Sequence, residues 1–215
     1  MAKIKRLDII TIFPEVTAPY ASASILGRAQ EAGLIEIKSH NLRDWTTDKH
    51  NTVDDTPYGG GPGMVMKVEP FDKAVTDVKE SKNSRVILTS ASGKTFTQED
   101  AKRLAKYDQL IFLCGRYEGV DHRVEEHVAD EALSIGDFVL TGGELPALTM
   151  IDAIARMVPG VVQEDSLQTE SHDTEGYLEH PQYTKPETYN EWQVPEVLLS
   201  GDHKKIAEWR EENSN

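Results

Sequence analysis

Four apolar runs separated by amphipathic stretches limit what this chain can become. Residues 7–13 alternate apolar and polar side chains and end at Pro14, and residues 34–40 alternate again. Residues 85–89, with Val86–Leu88 apolar, and residues 109–114, apolar from Leu110 onward, have the form taken by strands covered on both faces. Between them, residues 24–32 have helical spacing with Gly33 as a C-terminal stop, and residues 70–78 form a second helical stretch. Residues 97–106 open on Thr97-x-x-Asp100, a capping box with Asp in the usual Glu position. Residues 121–129 are a further helix. This alternation predicts an α/β fold with a mainly parallel sheet and helices on both faces.

In such sheets ligands sit beyond the carboxyl ends of the strands, so the loops there carry the interest. Three of them have glycines or polar residues: 90–94, 115–119 and 141–143. The third lies in residues 134–156, where an apolar run, Phe138–Leu140, precedes Thr141-Gly142-Gly143 and a helix with Pro146 in its first turn. Two adjacent glycines let a ligand reach the backbone, and a helix start offers amide N–H groups to it. An ordinary strand–turn–helix junction has the same pattern, and both readings stand on these residues.

The net charge of −14 argues against nonspecific attraction to nucleic acid, but it is unevenly spread. Residues 1–123 hold 18 Lys and Arg against 17 Asp and Glu, whereas residues 124–215 hold 5 against 20. The first part can therefore still present a basic face to a polyanion. No stretch is apolar enough to span a membrane, and the N-terminal residues lack a signal peptide's apolar region. A single cysteine, Cys114, excludes an internal disulfide and fits a reducing, cytoplasmic setting. Zinc spacing is absent, since His122 and His127 have no partner pair, and no metal ligand set is assigned.

Residues 41–63 form a long polar loop that closes on Tyr58-Gly59-Gly60-Gly61-Pro62-Gly63. Arg43, Trp45, Lys49, His50 and Tyr58 give it a basic and aromatic character suited to RNA, whose splayed bases stack on aromatic rings. Gly93-Lys94-Thr95 resembles the end of a P-loop, but Leu88 stands where the motif needs its first glycine. In residues 115–119, Arg116 and Glu118 read as a structural ion pair within a tight turn. Arg156, set among Ala155 and Met157, needs an anionic partner, either a structural carboxylate or a substrate oxygen. Residues 163–184 are acidic and aperiodic, and residues 194–209 read as a short helical tail.

Four of these segments together resemble the bacterial tRNA (guanine-N1)-methyltransferases, of the SPOUT class of knotted methyltransferases. They are Asp54–Met64, Cys114–Gly119, Ser134–Pro146 and His180–Pro186, in this order, and the resemblance extends from the first strand to about Trp209. It implies methyl transfer from S-adenosyl-L-methionine to N1 of the guanosine at position 37 of tRNA. It also implies a homodimer with active sites built across the interface, a deep trefoil knot and a short C-terminal helical extension. The domains expected are 1–160 for the cofactor-binding part, 161–185 for a linker with an active-site loop, and 186–215 for the helical segment.

By the same resemblance, the cofactor pocket comprises Leu88, Thr89, Ser90, Gly115, Tyr117, Ile135, Gly136, Asp137, Phe138, Val139, Leu140, Gly142, Gly143 and Pro146. Tyr58 and Gly59 fall in the substrate-binding part. Glu118 falls near the target base or an associated magnesium ion, and Arg156 at guanine O6. The family's general base is a carboxylate in the loop after the Arg-bearing helix. Here that position is Glu170, in Glu170-Ser171-His172, with Asp173 as rival. Ala91 replaces a proline common in the first cofactor loop, and the chain ends some dozens of residues sooner than is usual in the family. Two other readings stand beside the methyltransferase: a P-loop-like NTPase and a non-catalytic RNA-binding module.

Overall fold

The computed structural model describes residues 5–163, 170–172 and 176–214. The chain divides into two compact units, residues 1–162 and 163–215. The first opens with strand β1 (Lys5–Thr11), helices α1 (Pro14–Ala21) and α2 (Ser24–Glu31), and strand β2 (Ile35–Asn41). A 3-10 turn (Leu42–Trp45) leads to a short antiparallel pair, β3 (Asp54–Asp55) with β4 (Val65–Met66). Next come α3 (Val68–Val78), β5 (Ser84–Thr95), α4 (Gln98–Leu104), β6 (Gln109–Cys114), α5 (His122–His127), β7 (Glu131–Ser134) and α6 (Glu144–Arg156).

The expected parallel sheet is present, with strand order β2-β1-β6-β5-β7 and every pairing parallel. Strand periodicity divides its core in two. Leu7, Ile9, Leu110 and Phe112 pack on one side with Ala101, Leu104, Ile151 and Ile154. Ile10, Ile12, Ile111 and Leu113 pack on the other with Phe71, Ala74 and Val124. β6 is central and wholly buried, as its continuous apolar run required. Its one polar residue, Gln109, is satisfied: the amide donates to Asp8 Oδ2 (2.7 Å) and the Val78 carbonyl (2.9 Å) and accepts from the Glu80 and Ser81 amides. Buried Lys5 donates to the carbonyls of Leu104, Ala105 and Tyr107 at the end of α4, and burial lowers its pKa to about 8.

The capping box forms: Thr97 Oγ1 accepts from the Asp100 amide while the Asp100 carboxylate accepts from the Thr97 amide. Three readings of the residues need correction. The loop at 41–63 contains the 3-10 turn and one arm of the β3–β4 hairpin. Pro14 starts a helix, α1, that periodicity did not reveal. The strand before the double glycine is Glu131–Ser134, and the apolar run Phe138–Leu140 lies beyond it in the loop. β7 is held there by its register on β5, Ile87 opposite Glu131 and Thr89 opposite Leu133.

The second unit contains a two-strand hairpin, β8 (Thr188–Tyr189) with β9 (Trp192–Gln193), then α7 (Glu196–Leu199) and α8 (His203–Glu212). Trp209 meets the rings of His180 and Tyr183 edge-on, both at 6.2 Å between centroids. Asp202 caps α8 by accepting from the Lys204 and Lys205 amides.

Candidate functional site

A cavity of about 440 Å³ opens at the carboxyl ends of β6 and β7 and along the middle of β5, at Leu88–Ser92, where the β5–β7 register shifts. Of the fourteen expected cofactor residues, Leu88, Thr89, Ser90, Gly115, Tyr117, Ile135, Phe138, Val139, Leu140, Gly142, Gly143 and Pro146 line it. Gly136 and Asp137 do not; they lie in the turn between. Phe138 and Val139 are exposed, and the apolar run Phe138–Leu140 supplies cavity wall. Burial raises the pKa of the Cys114 thiol well above its ordinary value, which leaves it protonated and unsuited to nucleophilic attack.

The two glycines have a reason that the sequence did not disclose. A Cβ on Gly142 would stand 2.2 Å from Arg116 Nε, and one on Gly143 would stand 2.0 Å from Thr89 Oγ1 and 2.8 Å from Cys114 Cα. Chain packs against chain there, and the glycines allow the crossing before any ligand arrives. The Gly143 amide donates to the Gly115 carbonyl (3.0 Å), tying the turn to the end of β6.

Arg116 pairs with Glu144, not with Glu118. Its Nε and Nη2 lie 3.0 and 2.9 Å from Glu144 Oε2, and Nη1 donates to the Thr141 carbonyl (3.3 Å). Glu144 is 1% exposed and also accepts from Thr11 Oγ1 (2.6 Å). The guanidinium carbon lies 4.8 Å from the centre of the Phe13 ring. A buried acid in the first turn of an apolar helix was the available sign that Glu144 needed a cation.

Glu118 is exposed and lines the cavity. It follows Tyr117, whose φ of +61° is a left-handed conformation seldom adopted by side chains of this size. The turn is closed by a hydrogen bond from the Gly119 amide to the Arg116 carbonyl (3.1 Å). The glycine loop joins it: the Glu118 amide donates to the Met64 carbonyl (3.0 Å), and a Cβ on Gly63 would strike the Glu118 side chain at 2.4 Å. Tyr58 is fully exposed, and Gly59, Gly60, Gly61 and Gly63 all have positive φ.

The P-loop reading is overturned. Gly93-Lys94-Thr95 is extended within β5, Lys94 Nζ is 3.0 Å from Asp100 Oδ1, and Gly93 presses on the Ala132 backbone. No phosphate cradle forms there. Arg156 ends α6, thirteen residues long with Glu144 at its start, so the two are about 18 Å apart along the axis. A single chain thus brings Glu118 to the cavity but leaves Arg156 at the far end of α6. Glu170 is half-buried in the second unit, and Asp173 lies outside the described residues. Among the described residues no group of three or more His, Cys, Asp or Glu stands together to hold a metal ion, and no helix is long and apolar enough to cross a membrane.

Comparison with known proteins agrees with these features. The family model described as tRNA (Guanine-1)-methyltransferase TrmD matches residues 5–215. A tRNA (guanine-N(1)-)-methyltransferase of Thermomicrobium roseum is 56% identical over 207 residues, covering 95% of this chain and 77% of the relative. One from Dictyoglomus turgidum is 55% identical over 206 residues (95% and 83% covered). One from Dehalococcoides mccartyi is 49% identical over 212 residues (97% and 85% covered).

Proposed function

This chain belongs to the tRNA (guanine-N1)-methyltransferase family, and we propose that it transfers the methyl group of S-adenosyl-L-methionine to N1 of the guanosine at position 37 of tRNA. The observation that carries this reading is the cavity at the strand ends, lined by twelve of the fourteen residues expected to receive the cofactor. Its size suits a ligand of that class. Its walls join the apolar Leu88, Leu133, Ile135 and Phe138 to the hydroxyls of Ser90, Ser92 and Thr141. This mixture fits an adenosine with an attached amino-acid tail.

When bound, S-adenosylmethionine supplies an electrophilic methyl group on a sulfonium. The protein's task is to make guanine N1 nucleophilic. That nitrogen carries a proton, and removing it drives negative charge onto O6. We assign Glu170 as the base that takes the proton, with Asp173 as its rival, and Arg156 as the cation at O6. Glu118 faces the target base from the cavity side, and Tyr58 and Gly59 contact the substrate from the glycine loop. Glu118 is also the carboxylate that would stand beside an associated magnesium ion, which is usually held by only one or two protein carboxylates.

A homodimer accounts for the position of Arg156. With about 18 Å of helix between Arg156 and the start of α6, a second copy supplies Arg156 to the cavity of the first. The trefoil knot belongs to the same reading. It is supported by the close approach of Gly143 to Thr89 and Cys114. The enzyme acts in the cytoplasm, where tRNA is.

The test uses labelled S-adenosylmethionine with two tRNAs that differ only in G or A at position 37. Methyl transfer to the first and none to the second is expected; equal transfer to both defeats the position and base assignment. A tRNA-binding module without catalysis would bind both and methylate neither.

A further inference from the structure

Arg116 lies between the two halves of the proposed site, and neither its partner nor its purpose follows from the methyl-transfer chemistry. Its guanidinium is held on three sides: by the Glu144 carboxylate, by the Thr141 carbonyl and by the Phe13 ring. Glu144 is itself fixed by Thr11, whose Oγ1 also accepts from the Phe13 amide (3.0 Å). The Arg116 amide faces Met66 Sδ (3.1 Å), and its carbonyl closes the turn that carries Tyr117 and Glu118. The missing Cβ of Gly142 is the space this side chain occupies.

We propose that Arg116, clamped by Glu144, is a positioning residue that sets the wall of the cofactor cavity. Its side chain fixes Thr141 and the double-glycine turn on one side, while its backbone fixes the Tyr117–Glu118 turn on the other. A bidentate ion pair in a nearly buried place holds this geometry more tightly than a neutral contact can. Lysine keeps the charge but cannot bond Glu144 through two nitrogens and reach Thr141 together. Glu144 is absent from the cavity lining, so changing it alters the clamp without touching a ligand.

The inference rests on the cavity being the S-adenosylmethionine site. The experiment compares Arg116→Lys and Glu144→Gln with the unaltered enzyme by calorimetric binding of S-adenosylmethionine and by separate KM values for cofactor and tRNA. Each variant is expected to weaken cofactor binding and raise its KM on the order of tenfold, with the tRNA KM retained. The double variant should be no worse than the poorer single one, because both break one clamp. Folded variants with unaltered cofactor affinity overturn the proposal. So does failure of both to fold, which assigns the pair to the fold alone. If the unaltered enzyme binds no S-adenosylmethionine, the reading of the cavity itself is what fails.

Discussion

Gly143 and Thr89 are packed so closely that a methyl group on the glycine would stand 2.0 Å from the threonine hydroxyl. Cys114 Cα and the Gly115 amide nitrogen close the same space at 2.8 and 3.0 Å. Backbone lies on one side, so side-chain rotation cannot relieve the clash. Gly143→Ala is expected to cost about 3 kcal/mol, lowering Tm by about 6–12 °C for a chain of this size. Gly115→Ala is the comparison, because its Cβ would meet only a valine methyl at 3.0 Å. Thermal denaturation of the two side by side checks this; equal, small losses would contradict the crowding described.

A carboxamide cannot accept the guanine N1 proton. Glu170→Gln is therefore expected to lower kcat by about 10²–10⁴-fold while cofactor affinity stays within about twofold. Single-turnover methylation together with calorimetry reads both quantities. Full activity in this variant transfers the role to Asp173.

The pH dependence of stability follows from the ion pairs across β5, β7 and α4. Burial alone would raise the Glu131 pKa, but hydrogen bonds from Arg103 and Arg85, at 2.7 and 2.8 Å, outweigh it and hold the carboxyl below 4.5. A carboxyl whose folded pKa is depressed stabilises the fold above its unfolded pKa, and that stability is lost as pH falls through the folded value. Asp100 acts in the same direction: hydrogen bonds from Arg103, Lys94 and Thr97 overcome its burial. Urea unfolding at a series of pH values below 4.5 should give a shallower loss of stability for Glu131→Gln than for the unaltered protein. Identical slopes would remove Glu131 from the account.

An active site shared between two chains has a numerical signature. Arg156→Ala and Glu118→Gln are each expected to be nearly inactive. If each site takes Glu118 from one chain and Arg156 from the other, a mixed dimer keeps one intact site. Co-refolding equal amounts of the two variants should then restore about a quarter of the unaltered activity. No recovery, with mixed dimers demonstrated by differential tagging, would place both residues in the same chain's site.

The sheet was legible because its strands obey periodicities that hold whatever the neighbours. Residues 109–114 had to be central, and Thr97-x-x-Asp100 had to start a helix. The loops at the strand ends were legible as a group through their glycines and through the family resemblance. The partners of particular side chains were not. Arg116 has Glu118 two residues away and Glu144 twenty-eight residues away, and the structure gives it the distant one. Apolar character is shared by buried strands and cavity walls, so the composition of Phe138–Leu140 does not tell one from the other, and the register of β7 on β5 does. The reason for Gly142 was invisible for the same cause: the atom it avoids belongs to residue 116.

Thr11 and Glu144, joined by a 2.6 Å hydrogen bond across 133 residues of sequence, have a consequence for synthesis on the ribosome. The first strand emerges early, but its final partner arrives only when α6 has left the exit tunnel. Closing so long a loop is slow compared with local helix formation. Until then the cavity lacks its last wall, and a nascent chain has nothing with which to retain a ligand. The Thr11–Glu144 bond is therefore a late contact, made only once residue 144 has been synthesised and has left the tunnel.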